Sequence, residues 1–142
     1  MSTTTTTTAT ATRPGTDATA PAGNLTPPRG SRRVTRRDMA DAVADRVPFR
    51  YNASASATWA TASAVRRAVG GLGCHLDPAA AAEVAEHLAG LDLAAPVYVV
   101  RSYSTVVAVD TDAAGWWTWD ARYSATTGTH LAAVRRGIAA AR

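Results

Sequence analysis

Between Thr35 and Pro48 the apolar residues Met39, Val43 and Val47 fall four apart, which puts them on one helical face. Thr35 followed by Asp38 supplies a capped N-terminus, so a helix over about 36–46 is predicted, stopped by Pro48. Val65 and Val69 predict a second, short helix over about 62–69, ended by Gly70-Gly71. Asp77-Pro78 is a cap followed by proline at the first helical position. It opens a helix over 78–89 that Gly90 terminates, with Ala82, Val84, Ala85 and Leu88 as its buried stripe. From Pro96 the period shortens. The β-branched runs 97–101 and 105–109, and a turn-rich link over 110–115 leading to 116–119, predict three strands in an antiparallel meander. Thr126 or Thr127 then caps a last helix running to about Ala140, with Leu131, Val134 and Ile138 toward the sheet. Two stretches stay open. Phe49 and Tyr51 alternate with polar neighbours like a short strand, but residues 53–58 carry little bulk to bury, and 120–125 fits either a loop or a fourth strand.

Composition adds a boundary. The first 34 residues are mainly Thr, Ala, Pro, Gly and Arg, with only Leu25 and Val34 as bulky apolar groups after Met1, which leaves little to offset the entropy of ordering them. The expected fold is therefore α+β: a disordered Thr/Ala/Pro/Arg-rich arm over residues 1–35, then a single small domain over 36–142. In that domain a three- to four-stranded antiparallel sheet packs with helices. All 15 basic residues are Arg and 33 of the 142 residues are Ala, a usage shaped by GC-rich coding. No run of about 18 apolar residues exists to span a bilayer. The Thr-rich start lacks the basic and apolar regions of a secretory signal. A single cysteine, Cys74, cannot close an internal disulfide, so the cytoplasm is the expected compartment.

The basic excess is uneven. Residues 1–50 hold 8 Arg and 4 Asp, whereas residues 51–142 hold 7 Arg against 7 acidic residues. Arg29, Arg32, Arg33, Arg36 and Arg37 crowd into nine positions, and two of them fall in the first turn of a predicted helix, where positive charge opposes the dipole. Helix stability does not explain them. An arm of guanidinium groups tracks phosphates without reading sequence, which makes these five the candidate nucleic-acid contact; solvation of a tail is the plain alternative.

The segment Arg101-Ser-Tyr103-Ser-Thr105-Val-Val-Ala108, a Trp pair in a strand, and Arg122-Tyr123-Ser124-Ala-Thr126-Thr127-Gly-Thr-His130 together resemble a family of small proteins encoded by phages, plasmids and their hosts. That family carries a Ser-Tyr-x-Thr strand and a Tyr-Ser-x-Thr-Thr-Ser-x-His segment, over about 97–130 here, and has no assigned activity. The resemblance implies a mobile-element or host-associated origin and a compact α+β domain. Gly128 stands where the family has Ser, so no role passes to that hydroxyl.

Within the second segment, Arg122, Tyr123, Ser124, Thr126, Thr127 and His130 form the candidate anion or ligand site. Amide donors and the dipole at a helix start attract anions, and hydroxyls with Arg122 add donors. The competing reading makes Thr126 or Thr127 a simple cap and His130 the partner of a nearby carbonyl. Catalysis would need Ser124 or Tyr123 paired with His130, and no elbow, phosphate-loop or dinucleotide signature accompanies them, so no catalytic residue is assigned. Cys74, His75, Asp77, Glu83 and His87 lie close in sequence but lack paired-ligand spacing, so no metal and no cofactor are expected, and His87 is read as a partner of Glu83. On a strand Trp117 and Trp119 share a face and are expected in the core, with Trp116 opposite and left open.

These readings converge on a non-enzymatic accessory or regulatory protein of a mobile element or its host, with nucleic acid as the preferred partner through the Arg-rich arm. The alternative is a protein-interaction module that uses the Trp strand or a sheet edge. The third is an anion- or nucleotide-binding site, or a weak enzyme, at 123–130.

Overall fold

In the computed structural model, which describes residues 22–71, 73–120 and 125–141, the β-branched runs and the open 48–61 stretch join one sheet. Its strands are β1 (Arg32–Arg33), β2 (Phe49–Tyr51), β3 (Ala55–Thr61), β4 (Pro96–Ser102), β5 (Thr105–Thr111) and β6 (Gly115–Thr118), side by side in that order. The expected three or four antiparallel strands are thus corrected to six in a mixed sheet, since β1 runs parallel to β2 and the other pairings are antiparallel. The extra strands leave little trace in the sequence for a physical reason. Ala55, Ala57 and Ala60 are buried between neighbouring strands and covering helices, where small side chains suffice and bulk leaves no alternating signal.

Among the described residues four helices cover the sheet: α1 (Arg36–Ala44), α2 (Ala62–Val69), α3 (Pro78–His87) and α4 (Ala125–Ala140). Thr35, Thr61 and Asp77 each accept the backbone N–H three residues on, satisfying one otherwise unpaired donor at the starts of α1, α2 and α3. One face of the sheet carries the core of Met39, Val43, Phe49, Val100, Leu131 and Val134, covered by α1 and α4. The other carries Val65, Val84, Leu88, Val97 and Val99, covered by α2 and α3. The stripe of α3 needs correction. Ala80, Val84 and Leu88 are buried four apart, while Ala82, about 200° around the helix from Ala80 and Val84, and Ala85, about 100° from Val84, are exposed.

The tryptophans are also redistributed. Trp116 stands edge-to-face against Tyr98, with ring centroids 5.9 Å apart, and Trp119 is buried in the same core. Trp117 lies across from Val109 and donates from Nε1 to Glu83 at 2.9 Å, on the α3 side. Strand alternation stops at Thr118, so it does not carry Trp119 to the face of Trp117. Near Trp116, buried Asp110 pairs with Arg46, whose guanidinium sits 5.5 Å above the Trp116 ring. Tyr98 donates its hydroxyl to the Val47 carbonyl at 2.8 Å, and burial raises its pKa well above the ordinary phenol value.

Residues 22–35, assigned by composition to the arm, lie against the domain. Ala22 bridges Ala60, and Leu25 is 6% exposed. Arg67, Arg101 and Arg50 donate to the alternate carbonyls of Gly23, Leu25 and Pro27 at 3.0, 2.8 and 2.8 Å. Two bulky side chains and three guanidinium donors from distant parts of the chain provide a fixing that local composition cannot reveal. Residues 1–21 lie outside the described residues.

A Cβ at Gly137 would stand 2.5 Å from the Ala40 carbonyl oxygen and 2.8 Å from Val43 Cβ, so the crossing of α1 and α4 needs the missing side chain. Gly137→Ala is expected to lower stability by about 1–3 kcal/mol in urea unfolding, through overpacking. An unchanged midpoint would contradict this close crossing.

Candidate functional site

Two hairpin turns meet at one end of the sheet. Asn52 follows β2 and Tyr103 follows β4, both with left-handed backbone at φ 49° and 55°. The Tyr103 N–H donates to the Ser54 carbonyl at 2.7 Å and ties the turns together. Tyr51, Ala55, Ser102 and Thr105 lie opposite one another across β2 to β5, so their side chains share the sheet face toward α4. Thr127 and His130, three apart on α4, share a helical face.

The two sets interlock. The Ser102 hydroxyl lies 2.7 Å from His130 Nδ1 and 3.0 Å from Thr127 Oγ1, while Ser54 Oγ lies 3.3 Å from His130 Nε2. The Tyr51 and Tyr103 rings flank the imidazole at centroid distances of 5.9 and 6.2 Å. His130 is 2% exposed, and burial lowers its pKa below the ordinary imidazole value, which holds it neutral at pH 7. A neutral ring has one donor and one acceptor nitrogen. Hydroxyls on both sides serve either tautomer: each donates or accepts as the ring requires.

Ser102 is 1% exposed, so its contact with the imidazole orients the ring and presents no reachable nucleophile. Ser54, half-buried, is the hydroxyl partner of His130 that opens to solvent, through a cavity of about 270 Å³. Arg36, Tyr51, Asn52, Tyr103, Thr126 and Thr129 complete its lining with His130. Tyr103, in the same lining, is 57% exposed. Arg36 connects the cavity to a wide hollow lined by Arg36, Arg37 and Arg136 with Thr35 and Asp38. Arg29, Arg32 and Arg33 are exposed nearby in sequence, Arg32 and Arg33 on the edge strand β1. Among the described residues none of Arg29, Arg32, Arg33, Arg36 and Arg37 forms an ion pair.

Of the predicted ligand residues, Thr126, Thr127 and His130 come together here, while Arg122, Tyr123 and Ser124 lie outside the described residues. Neither Thr126 nor Thr127 is the cap: α4 already begins at Ala125, and Thr127 turns inward to Ser102. Among the described residues, Ser102 and Ser54 bring hydroxyls to His130 from across the fold. Ser102 sits in the strand motif of residues 101–108, but Ser54 lies in a run of small residues with no signal of its own. Arg136 carries no signal either, because its relation to the arm arises only where α4 crosses α1. Glu83 and His87 do not pair with each other: His87 Nε2 is 2.8 Å from the Gly115 carbonyl and Glu83 takes Trp117. Among the described residues no three His, Cys, Asp or Glu side chains converge, and no helix is long and apolar enough to cross a membrane.

A family of unknown function, DUF8033, matches residues 43–141. Neither a curated protein nor a solved structure matches the chain.

The buried imidazole makes stability depend on pH. Above about pH 6.5 the ring is neutral whether the chain is folded or not. Below that value the unfolded chain binds the proton first, since the folded pKa is depressed, and stability falls until the folded ring titrates too. Chemical unfolding between about pH 7 and 5 is expected to show this decline, bounded at about 1.4 kcal/mol per pH unit for one group. His130→Gln should be less stable at pH 7 by about 1–3 kcal/mol, and the difference between the two proteins should shrink as pH falls. A constant difference would mean that the ring is not held neutral.

Proposed function

The chain belongs to the family of unknown function DUF8033, and from that premise we propose that it acts by binding nucleic acid, with the basic edge taking phosphates and the His130 cavity taking an unpaired base. The observation that carries this reading is the position of Arg36. It lines both the hollow with Arg37 and Arg136 and the cavity with Tyr51, Tyr103 and His130. The arginine cluster and the His130 segment, far apart in sequence, thus share a wall.

The physical support is a division of labour. Uncompensated guanidinium groups attract a polyanion by releasing its counterions and read no sequence. An exposed tyrosine offers a stacking surface that every base fits, with Asn52, Thr126 and Ser54 as hydrogen-bonding groups around it. Arg32 and Arg33, on a two-residue edge strand, extend the basic surface along the sheet edge. The single carboxylate in the hollow, Asp38, accepts from the Thr35 hydroxyl at 3.0 Å within the cap of α1. In this reading the protein is an accessory factor of a mobile element or its host.

Binding to mixed-sequence single strands is expected to weaken steeply with salt. Replacing Arg32, Arg33, Arg36 and Arg37 with Ser should flatten the log–log slope by about 0.7 for each phosphate that is no longer neutralised. Tyr103→Ala should weaken single-strand binding by about 1–3 kcal/mol while leaving duplex binding less affected. Salt-independent affinity, or binding confined to a protein partner at the β6 edge, would overturn the reading.

A further inference from the structure

On the opposite face of the same sheet end lies a second cavity, of about 170 Å³, whose lining includes Thr26, Arg50, Ser56, Arg101 and Tyr103. Strand register explains the juxtaposition. Arg50 lies opposite Ser56 and Ser56 opposite Arg101, so two guanidinium groups from β2 and β4 flank one hydroxyl on β3. Each arginine gives one Nη2 group to a carbonyl of the 22–28 segment, Arg50 to Pro27 and Arg101 to Leu25. That role uses only part of either guanidinium, which carries five N–H donors. The Arg101 Nε–H is buried with no acceptor, and neither arginine forms an ion pair among the described residues. Burial alone lowers the pKa of Arg101, as expected of a cation withdrawn from water beside no counter-charge.

Fastening this strap of residues 22–28 uses one Nη2 group of each guanidinium and leaves the buried Arg101 Nε–H donor unaccounted for. We infer that this cavity is a binding site for a phosphoryl group, held between Arg50 and Arg101 with the Ser56 and Thr26 hydroxyls as further donors. The donors converge from three strands and a loop, which suits three phosphoryl oxygens better than the two coplanar oxygens of a carboxylate. The site does not require the nucleic-acid reading. Tyr103 lines both cavities, however, so a phosphate here would sit next to a base stacked at the His130 side.

The test is an NMR titration of the arginine Nε–H resonances with inorganic phosphate, against chloride at matched ionic strength. A saturable shift of the Arg101 Nε–H is expected. Ser56→Glu leaves both arginines and their strap bonds in place and fills the gap with a carboxylate. It should weaken phosphate binding by about tenfold or more while thermal stability is retained, and Arg101→Met should do the same at some loss of stability. A short single strand binding more tightly than inorganic phosphate, with the same resonance shifted, identifies a backbone phosphate as the source; equal affinities identify the small anion. If strands fail to bind but phosphate still shifts Arg101, the site stands and the nucleic-acid reading falls. An unresponsive Arg101 resonance, or phosphate binding unchanged in Ser56→Glu, overturns the site itself.

Discussion

One uncharged imidazole, sealed where α4 meets the sheet, sets the conditions for everything at that end of the molecule. His130 engages Ser102 through Nδ1 and Ser54 through Nε2, and Ser102 passes the contact on to Thr127. Among the described residues no carboxylate lines the adjoining cavity, so an imidazolium would be a buried charge with none of them as counterion. Hydroxyl partners tolerate either neutral tautomer and offer no compensation for the charged one. The consequence is mechanical as well as electrical. The first turns of α4, the turn at 52–54 and the turn at 103–104 are held in one arrangement, and the cavity is the space left between them.

Arginine does two different jobs around that frame. Turned toward the rest of the chain, Arg46 covers Trp116 and neutralises buried Asp110, while Arg50, Arg67 and Arg101 fasten the strap through its carbonyls. A planar fork of donors suits this work, since it bonds in fixed directions and is less strongly hydrated than an ammonium group. The core is light in large aliphatic side chains, so such polar fastening carries a larger share of the organisation. Turned outward, Arg32, Arg33, Arg36, Arg37 and Arg136 have no such duties and leave a positive surface facing solvent.

The family match divides these features. Residues 43–141 include His130, Ser102, Ser54, Tyr103 and the Arg50–Arg101 pair, and they leave out Arg29 to Arg37 and the strap. The cavity-forming frame therefore lies within the family's span, whereas Arg36 enters it from the preceding segment. Tyr103 belongs to both cavities because it stands at the tip of the turn between the sheet's two faces.

Local chemistry determined by itself the presence of the helices and the starts of α1 and α3. Thr35 and Asp77 cap because their oxygens reach an amide three residues away, and the runs at 97–101 and 105–109 are strands because β-branched side chains suit an extended backbone. The α+β class was legible for the same reason: it follows from elements whose patterns lie in contiguous stretches of the chain. The alanine strand β3, the docking of residues 22–35, the distribution of the tryptophans and the partners of His130 were decided only in three dimensions. Alanine is buried or exposed according to what covers it, and a hydroxyl such as Ser54 becomes the partner of a histidine 76 positions further on only when the chain between them folds to bring the two within hydrogen-bonding distance.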